Sequence, residues 1–169
     1  MHSDFDKFVA GWLEIATQSG VFVLPQRSAI TVAKFQSFLP CMMLAKWDQN
    51  FTSSQVVYAG TVIDDVFQRD IGQSSFLSIF SDKSLAILHR EITQKVVQDL
   101  VGAEVHADLR GGERSIRLSQ VRLPIAPENG EHYIVSLFKW AKAEERVVFD
   151  AIPSVANIQH HFFNIIPKI

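Results

Sequence analysis

The sequence predicts an α+β domain built around five antiparallel strands. Two observations carry this reading. A pair of short apolar, β-branched runs precedes a helical middle, and the hydrophobic period then changes from 3.6 to 2 after Gly102, where turn residues separate three further strands.

The elements follow in order. Phe5, Phe8, Val9, Trp12, Leu13 and Ala16 are spaced as the apolar stripe of an amphipathic helix, with Ser3 or Asp4 as its cap and Gly20 as its end. Pro25 marks an extended connection, and a second helix is expected from about Ser28 to Phe38, where Pro40 forces an exit. Cys41 to Trp47 reads as a buried strand, Asp48-Gln49-Asn50 as a turn, and Gln55 to Ala59 as the second strand of a hairpin ended by Gly60. Asp64 to Phe80, broken by Gly72 and Ser74-Ser75, suits short helical turns, and a longer helix spans about Asp82 to Leu100.

In the last third, Ala103, Val105, Ala107 and Leu109 alternate with polar residues, so that strand buries one face. Arg110-Gly111-Gly112-Glu113 is a hairpin turn. In the strand after it, Ile116 and Leu118 share one parity and Val121, Leu123 and Ile125 the other, which predicts a β-bulge near Ser119-Gln120. Asn129-Gly130 signals another turn, and Tyr133 to Trp140, apolar on both parities, reads as a central strand. The expected organisation is an N-terminal helical extension (1–39), a domain (40–142) and an apolar C-terminal tail (143–169) interrupted by Pro153 and Pro167.

Composition narrows the function. At 169 residues with 47% hydrophobic and 20% charged residues, the chain is globular and long enough for a core without disulfides or a structural metal. A single cysteine, Cys41, excludes an internal disulfide and a zinc finger and suits the cytoplasm. Sixteen basic against 18 acidic residues and a pI of about 6.3 give no electrostatic reason to bind nucleic acid or an anionic membrane. No signal peptide and no apolar run of membrane-spanning length are expected.

Tyr58 to Phe80, YAGTVIDDVFQRDIGQSSFLSIF, contains Ala59-Gly60-Thr61 after the second strand, then Phe67, Arg69-Asp70-Ile71 and the pair Phe76-Leu77. With the element order, this block resembles bacterial stand-alone PAS domain proteins over Pro40 to Lys142, although Gln68 stands where the pattern often has Gly. The resemblance implies helices on one face of the sheet, a small pocket beneath them, and signalling through flanking helices. It implies a non-enzymatic sensory or interaction module that binds a small molecule or a signalling partner protein. The alternatives are a small NTF2-like α+β enzyme pairing a histidine with Asp64 or Asp65, and a scaffold without ligand.

No Gly-x-Ser-x-Gly, His-Glu-x-x-His, Cys-x-x-Cys, Walker A or Gly-x-Gly-x-x-Gly motif occurs. His89-Arg90-Glu91 has the spacing of zinc deaminases but lacks their cysteines. Flavin is not expected, because Cys41 lies outside the helical block that carries the photoreactive cysteine in light-sensing PAS domains. Leu85, Leu88, Ile92 and Val96 share a helix face with His89, which turns it inward as a core histidine or pocket residue; haem ligation by it is not expected. The expected pocket is lined by His89, Phe67, Phe76, Phe80, Leu85, Ile92 and Leu137. A homodimer is expected through Phe5, Phe8, Trp12 and Leu13. Arg110, Arg114, Arg117 and Arg122 read as a solvated strand face, and His160-His161 as tail residues rather than metal ligands.

Overall fold

The structure, a computed structural model, describes residues 3–67, 70–75, 78, 83–111, 114–140 and 154–167. Helix α1 (Asp4–Ala16) opens on a capping box: Ser3 Oγ accepts from the Asp6 amide at 3.1 Å while the Asp6 carboxylate accepts from the Ser3 amide at 2.8 Å. The second helix is shorter than the apolar spacing predicts. It resolves into a 3₁₀ turn (Arg27–Ala29) and a single turn, α2 (Val32–Phe35), because the β-branched run Ile30-Thr31-Val32 disfavours a continuous helix. A further 3₁₀ turn, Leu39–Cys41, takes Cys41 out of the first strand, β1 (Met42–Trp47).

Strand β2 (Ser54–Ala59) completes the first hairpin, and α3 (Thr61–Phe67) follows directly. Gly60 sits between them where a Cβ would lie 2.2 Å from the carbonyl oxygens of Leu39 and Pro40, so close backbone approach fixes glycine there. At Gly72, which interrupts the helical block, the left-handed residue is its neighbour Gln73 (φ 66°). Helix α4 (Lys83–Gln98) is the long helix, and β3 (Val101–Gly111), β4 (Arg114–Glu128) and β5 (Glu131–Trp140) follow as antiparallel neighbours. Asn129 and Gly130 both have positive φ, as a two-residue hairpin turn requires.

The sheet has six strands in the order β2-β1-β5-β4-β3-β6. The sixth, β6 (Ser154–Asn164), comes from the segment read as a tail, and it pairs antiparallel with β3 from Val101↔Asn164 to Arg110↔Ser154. Alternating Val155, Ile158 and Phe162 supply its apolar contacts once a one-residue register shift, with Asn157 at φ 50°, is allowed for.

Helices cover both faces of the sheet, not one. On the first face α3 and α4 pack on Met43, Trp47, Val105, Leu109, Ile134 and Phe138; on the second α1 and Phe35 pack on Val121, Leu123, Ile125, Tyr133, Val135 and Leu137. This explains the change of parity in β4. The β3–β4 register runs unbroken from Ala103↔Arg122 to Gly111↔Arg114, so there is no bulge at Ser119-Gln120. The first half of the strand contributes apolar side chains to the α4 face and the second half to the α1 face. The irregularity lies instead between Ile125 and Glu128, in the pairing with β5. Strand β5 is buried from Tyr133 to Phe138, as a central strand covered on both sides should be.

Candidate functional site

Helix α4 presents His89, Ile92, Thr93 and Val96 to the sheet, with Leu85 and Leu88 partly buried beside them. Phe67 joins the same core from α3. Phe76 and Phe80 lie outside the described residues, as does the pair partner Leu77. Leu137 does not share this wall: strand alternation turns it to the opposite face, among the side chains under α1.

What meets His89 is Arg122, which reads in sequence as part of a solvated arginine patch. On β4 it follows Gln120 on the α4 face and is 1% exposed. Its Nε and Nη2 donate to Gln120 Oε1 at 3.0 and 2.9 Å, and its Nη1 donates to Thr93 Oγ1 at 3.1 Å and to the His89 carbonyl at 3.3 Å. Nη2 also donates to His89 Nδ1. A guanidinium only donates, so His89 must be neutral with its proton on Nε2. Burial pulls the Arg122 pKa down to about 9, which leaves it charged at neutral pH. The His89 pKa is pushed well below 6.5, first by burial, then by the Arg122 charge and by His160.

The guanidinium takes up part of the space between α4 and the sheet beside His89, and the part of the expected pocket assigned to Phe76 and Phe80 lies outside the described residues. Beside it, among Met43, Ala45, Trp47, Thr93, Ile134 and Ser136, a cavity of about 10 Å³ remains, room for one water at most. Iron ligation at His89 would require a free ring lone pair, and the Nδ1 lone pair is taken by Arg122. Asp64, one carboxylate of the enzyme alternative, is tied to its own loop, accepting from the Ile71 amide at 3.0 Å, and Asp65 is exposed.

The neutral state of His89 has a measurable consequence. Below about pH 6.5 the unfolded chain takes up a proton at this position that the folded chain refuses, so unfolding binds protons and stability falls as pH drops. The expected contribution approaches about 1.4 kcal/mol per pH unit on the acid side and vanishes above about pH 7. Urea midpoints of the parent and His89→Gln across that range check it; superimposable acid limbs would show that His89 is not held neutral.

The second face is built differently. Phe8 and Trp12, expected in a dimer interface, are fully covered by the chain's own sheet, and Trp12 Nε1 donates to the Pro124 carbonyl at 3.1 Å. Phe8 meets Phe35 and Phe38 edge-on, with ring centres 5.5 and 5.6 Å apart. The half-buried Phe5, Val9 and Leu13 on the flank of α1 instead line a groove of about 520 Å³, closed on its far side by Val121 and Phe163, with Lys7, Glu104 and His161 at its rim. A second recess of about 470 Å³ lies on the other flank, beside Cys41, Phe38 and Val62. Cys41 is half-buried, and burial raises its thiol pKa.

Arg110 and Arg117 share one carboxylate, Asp108, apart from the buried Arg122. Arg117 donates to Asp108 at 3.1 Å and to Gln159 at 2.8 Å, Arg110 approaches Asp108 at 3.7 Å, and the Arg114 side chain lies outside the described residues. Hydrogen bonds from Asn157 and Arg117 hold the Asp108 carboxyl below its usual range. His160 and His161, read as tail residues, sit on opposite faces of β6. Across the sheet from β6, Glu104 approaches both His106 and His161, with Oε1 3.1 Å from His106 Nε2 and Oε2 3.3 Å from His161 Nε2. Sequence reasoning missed both polar groupings. Arg122 had a signal, since it falls on the buried parity where the apolar pattern of β4 lapses, whereas the pairing of β6 with β3 had none.

Among the described residues no helix is long and apolar enough to cross a membrane. A family model described as PAS domain matches residues 1–137 of the 169, a span that includes α1 and α2. The chain therefore belongs to the PAS domain family. No curated protein matches it.

Proposed function

We propose that this PAS domain is a non-enzymatic sensory and interaction module that pairs with a second copy of itself through the outer flank of α1. The observation that carries the reading is the contrast between the two faces. On the α4 face Arg122 hydrogen-bonds to His89 and the cavity beside it, at Trp47 and Ile134, holds about 10 Å³, whereas half-buried Phe5, Val9 and Leu13 leave a groove of about 520 Å³ open along α1. Helices flanking the sheet are a common means of pairing in this family, and α1 lies inside the matched span. A two-fold arrangement would place the same flank of each α1 against its mate and cover both grooves at once. The NTF2-like alternative opens with helices that run into a curved sheet; here the long helix follows the first two strands, which favours the module over the enzyme. The signal would pass from α1 to a partner protein in the cytoplasm.

Light scattering tests the pairing. The full chain is expected at twice 19.0 kDa, and Val9→Asp with Leu13→Asp at the monomer mass, because a carboxylate facing a dry interface is costly, with the helical circular dichroism retained. A monomeric full chain would overturn the reading. The groove volume supports a second occupant, a small amphipathic molecule of the size such cavities hold. That reading takes precedence if the full chain is monomeric and a medium-chain fatty acid raises its melting temperature, an increase the two aspartates abolish.

A further inference from the structure

We propose that Glu104, His106 and His161 form a binding site for a borderline divalent cation, with Zn²⁺ the best fit, which clips the edge strand β6 to β3. The register assembles it. His161 stands directly opposite Glu104 in the β3–β6 ladder, and His106, two residues along β3, projects from the same face. One ligand atom from each of the three lies within 4.8 Å of the others. A cation bound at about 2.0–2.2 Å needs its ligands roughly 3.3–3.5 Å apart in tetrahedral geometry. Glu104 reaches His106 Nε2 through Oε1 at 3.1 Å and His161 Nε2 through Oε2 at 3.3 Å, so the carboxylate already bridges the two imidazoles, and the three side chains must draw in from within 4.8 Å to share one ion.

A fourth residue supports the geometry. Ser119 faces His106 across the β3–β4 ladder, and its hydroxyl lies 2.8 Å from His106 Nδ1. Such a contact fixes the ring and, with the proton on Nδ1, leaves the Nε2 lone pair aimed at Glu104 and the cation. Two imidazoles and one carboxylate form a nitrogen-rich donor set that suits Zn²⁺, Ni²⁺ or Co²⁺ rather than the all-oxygen shells of Ca²⁺ and Mg²⁺. Glu104 and His106 are half-buried, which restricts their rotamers, while the more exposed His161 leaves an open side for water to complete the shell. Since Glu104 and His161 also stand on the rim of the α1 groove, a bound cation would lie at its end. The site does not depend on the pairing proposed above.

Calorimetric titration of the full chain with Zn²⁺ in a non-coordinating buffer tests the site. One equivalent is expected to bind, with at least tenfold weaker binding in Glu104→Gln, His106→Ala and His161→Ala, and a loss of about 10–100-fold in Ser119→Ala. His160→Ala, on the other face of the same strand, is expected to bind as the parent does. Zn²⁺ should raise the melting temperature of the parent and not that of His161→Ala. If His161→Ala does not fold, Glu104→Gln, nearly isosteric and still able to hydrogen-bond, decides. Failure to bind at millimolar Zn²⁺ overturns the proposal; so does an affinity equal to the parent's in the three ligand variants, or an equal loss in His160→Ala.

Discussion

Trp12→Ala is expected to lower the unfolding free energy by about 3–5 kcal/mol, the range for removing a large aromatic from a packed interior. The indole is fully buried, touches Phe22 at a ring separation of 6.1 Å, and spans from α1 to the Pro124 carbonyl. Its loss leaves both a cavity over Leu123 and Val135 and a buried acceptor without its donor. Trp12→Phe separates the two: it retains most of the volume and removes the donor, so about 1–3 kcal/mol of the loss should remain. Urea unfolding with an unchanged slope gives both numbers. A cost below about 1 kcal/mol for Trp12→Ala would mean that α1 does not seal the second face. The same packing predicts that a chain shortened by its first twenty residues would expose that face, so changes in its oligomeric state would not report on pairing.

How much was legible in the sequence depends on whether the signal was local. The α1 stripe, the Asn129-Gly130 turn, the period-2 run of β3 and the inward face of α4 are written in spacings of two to four residues, and each appears where the spacing puts it. The sixth strand was not legible as a strand, because its partner β3 is separated from it by β4 and β5 and its apolar residues are out of strict alternation at Asn157. The parity change in β4 was visible but had two physical causes available, an inserted residue or a change in the buried face. Only the position of α1 over the second half of the strand separates them. The same ambiguity concealed Arg122. A charged residue on a buried parity reads as exposed unless its acceptors are known, and those acceptors, Thr93 and the His89 carbonyl, come from a helix some thirty residues away. His161 was hidden for the same reason, since Glu104 becomes its neighbour only through β6 pairing.

Arg122→Ala is expected to destabilise the domain by about 3–5 kcal/mol, although the residue it removes is a buried charge with its own desolvation cost. The guanidinium satisfies Gln120 Oε1, Thr93 Oγ1, the His89 carbonyl and His89 Nδ1 together. Alanine leaves these groups in a space too dry to replace them and enlarges the void beside Trp47 and Ile134. Replacing donor and principal acceptor together should behave differently. Arg122→Met with Gln120→Leu fills the volume and removes both the charge and the carboxamide whose Nε2 finds no hydrogen-bond partner among the described residues, so the expected cost is smaller than that of Arg122→Ala, the remainder coming from Thr93 and His89, which lose their donor. Losing the Arg122 charge also removes one of the causes that depress His89, so its folded pKa moves back toward 6.5 and the acid-side loss of stability ends at a higher pH than in the parent. Urea unfolding of both variants across that pH range measures the two effects. If Arg122→Ala costs no more than the double replacement, the polar cluster is not what holds α4 to the sheet, and the apolar contacts of Ile92 and Val96 carry that joint alone.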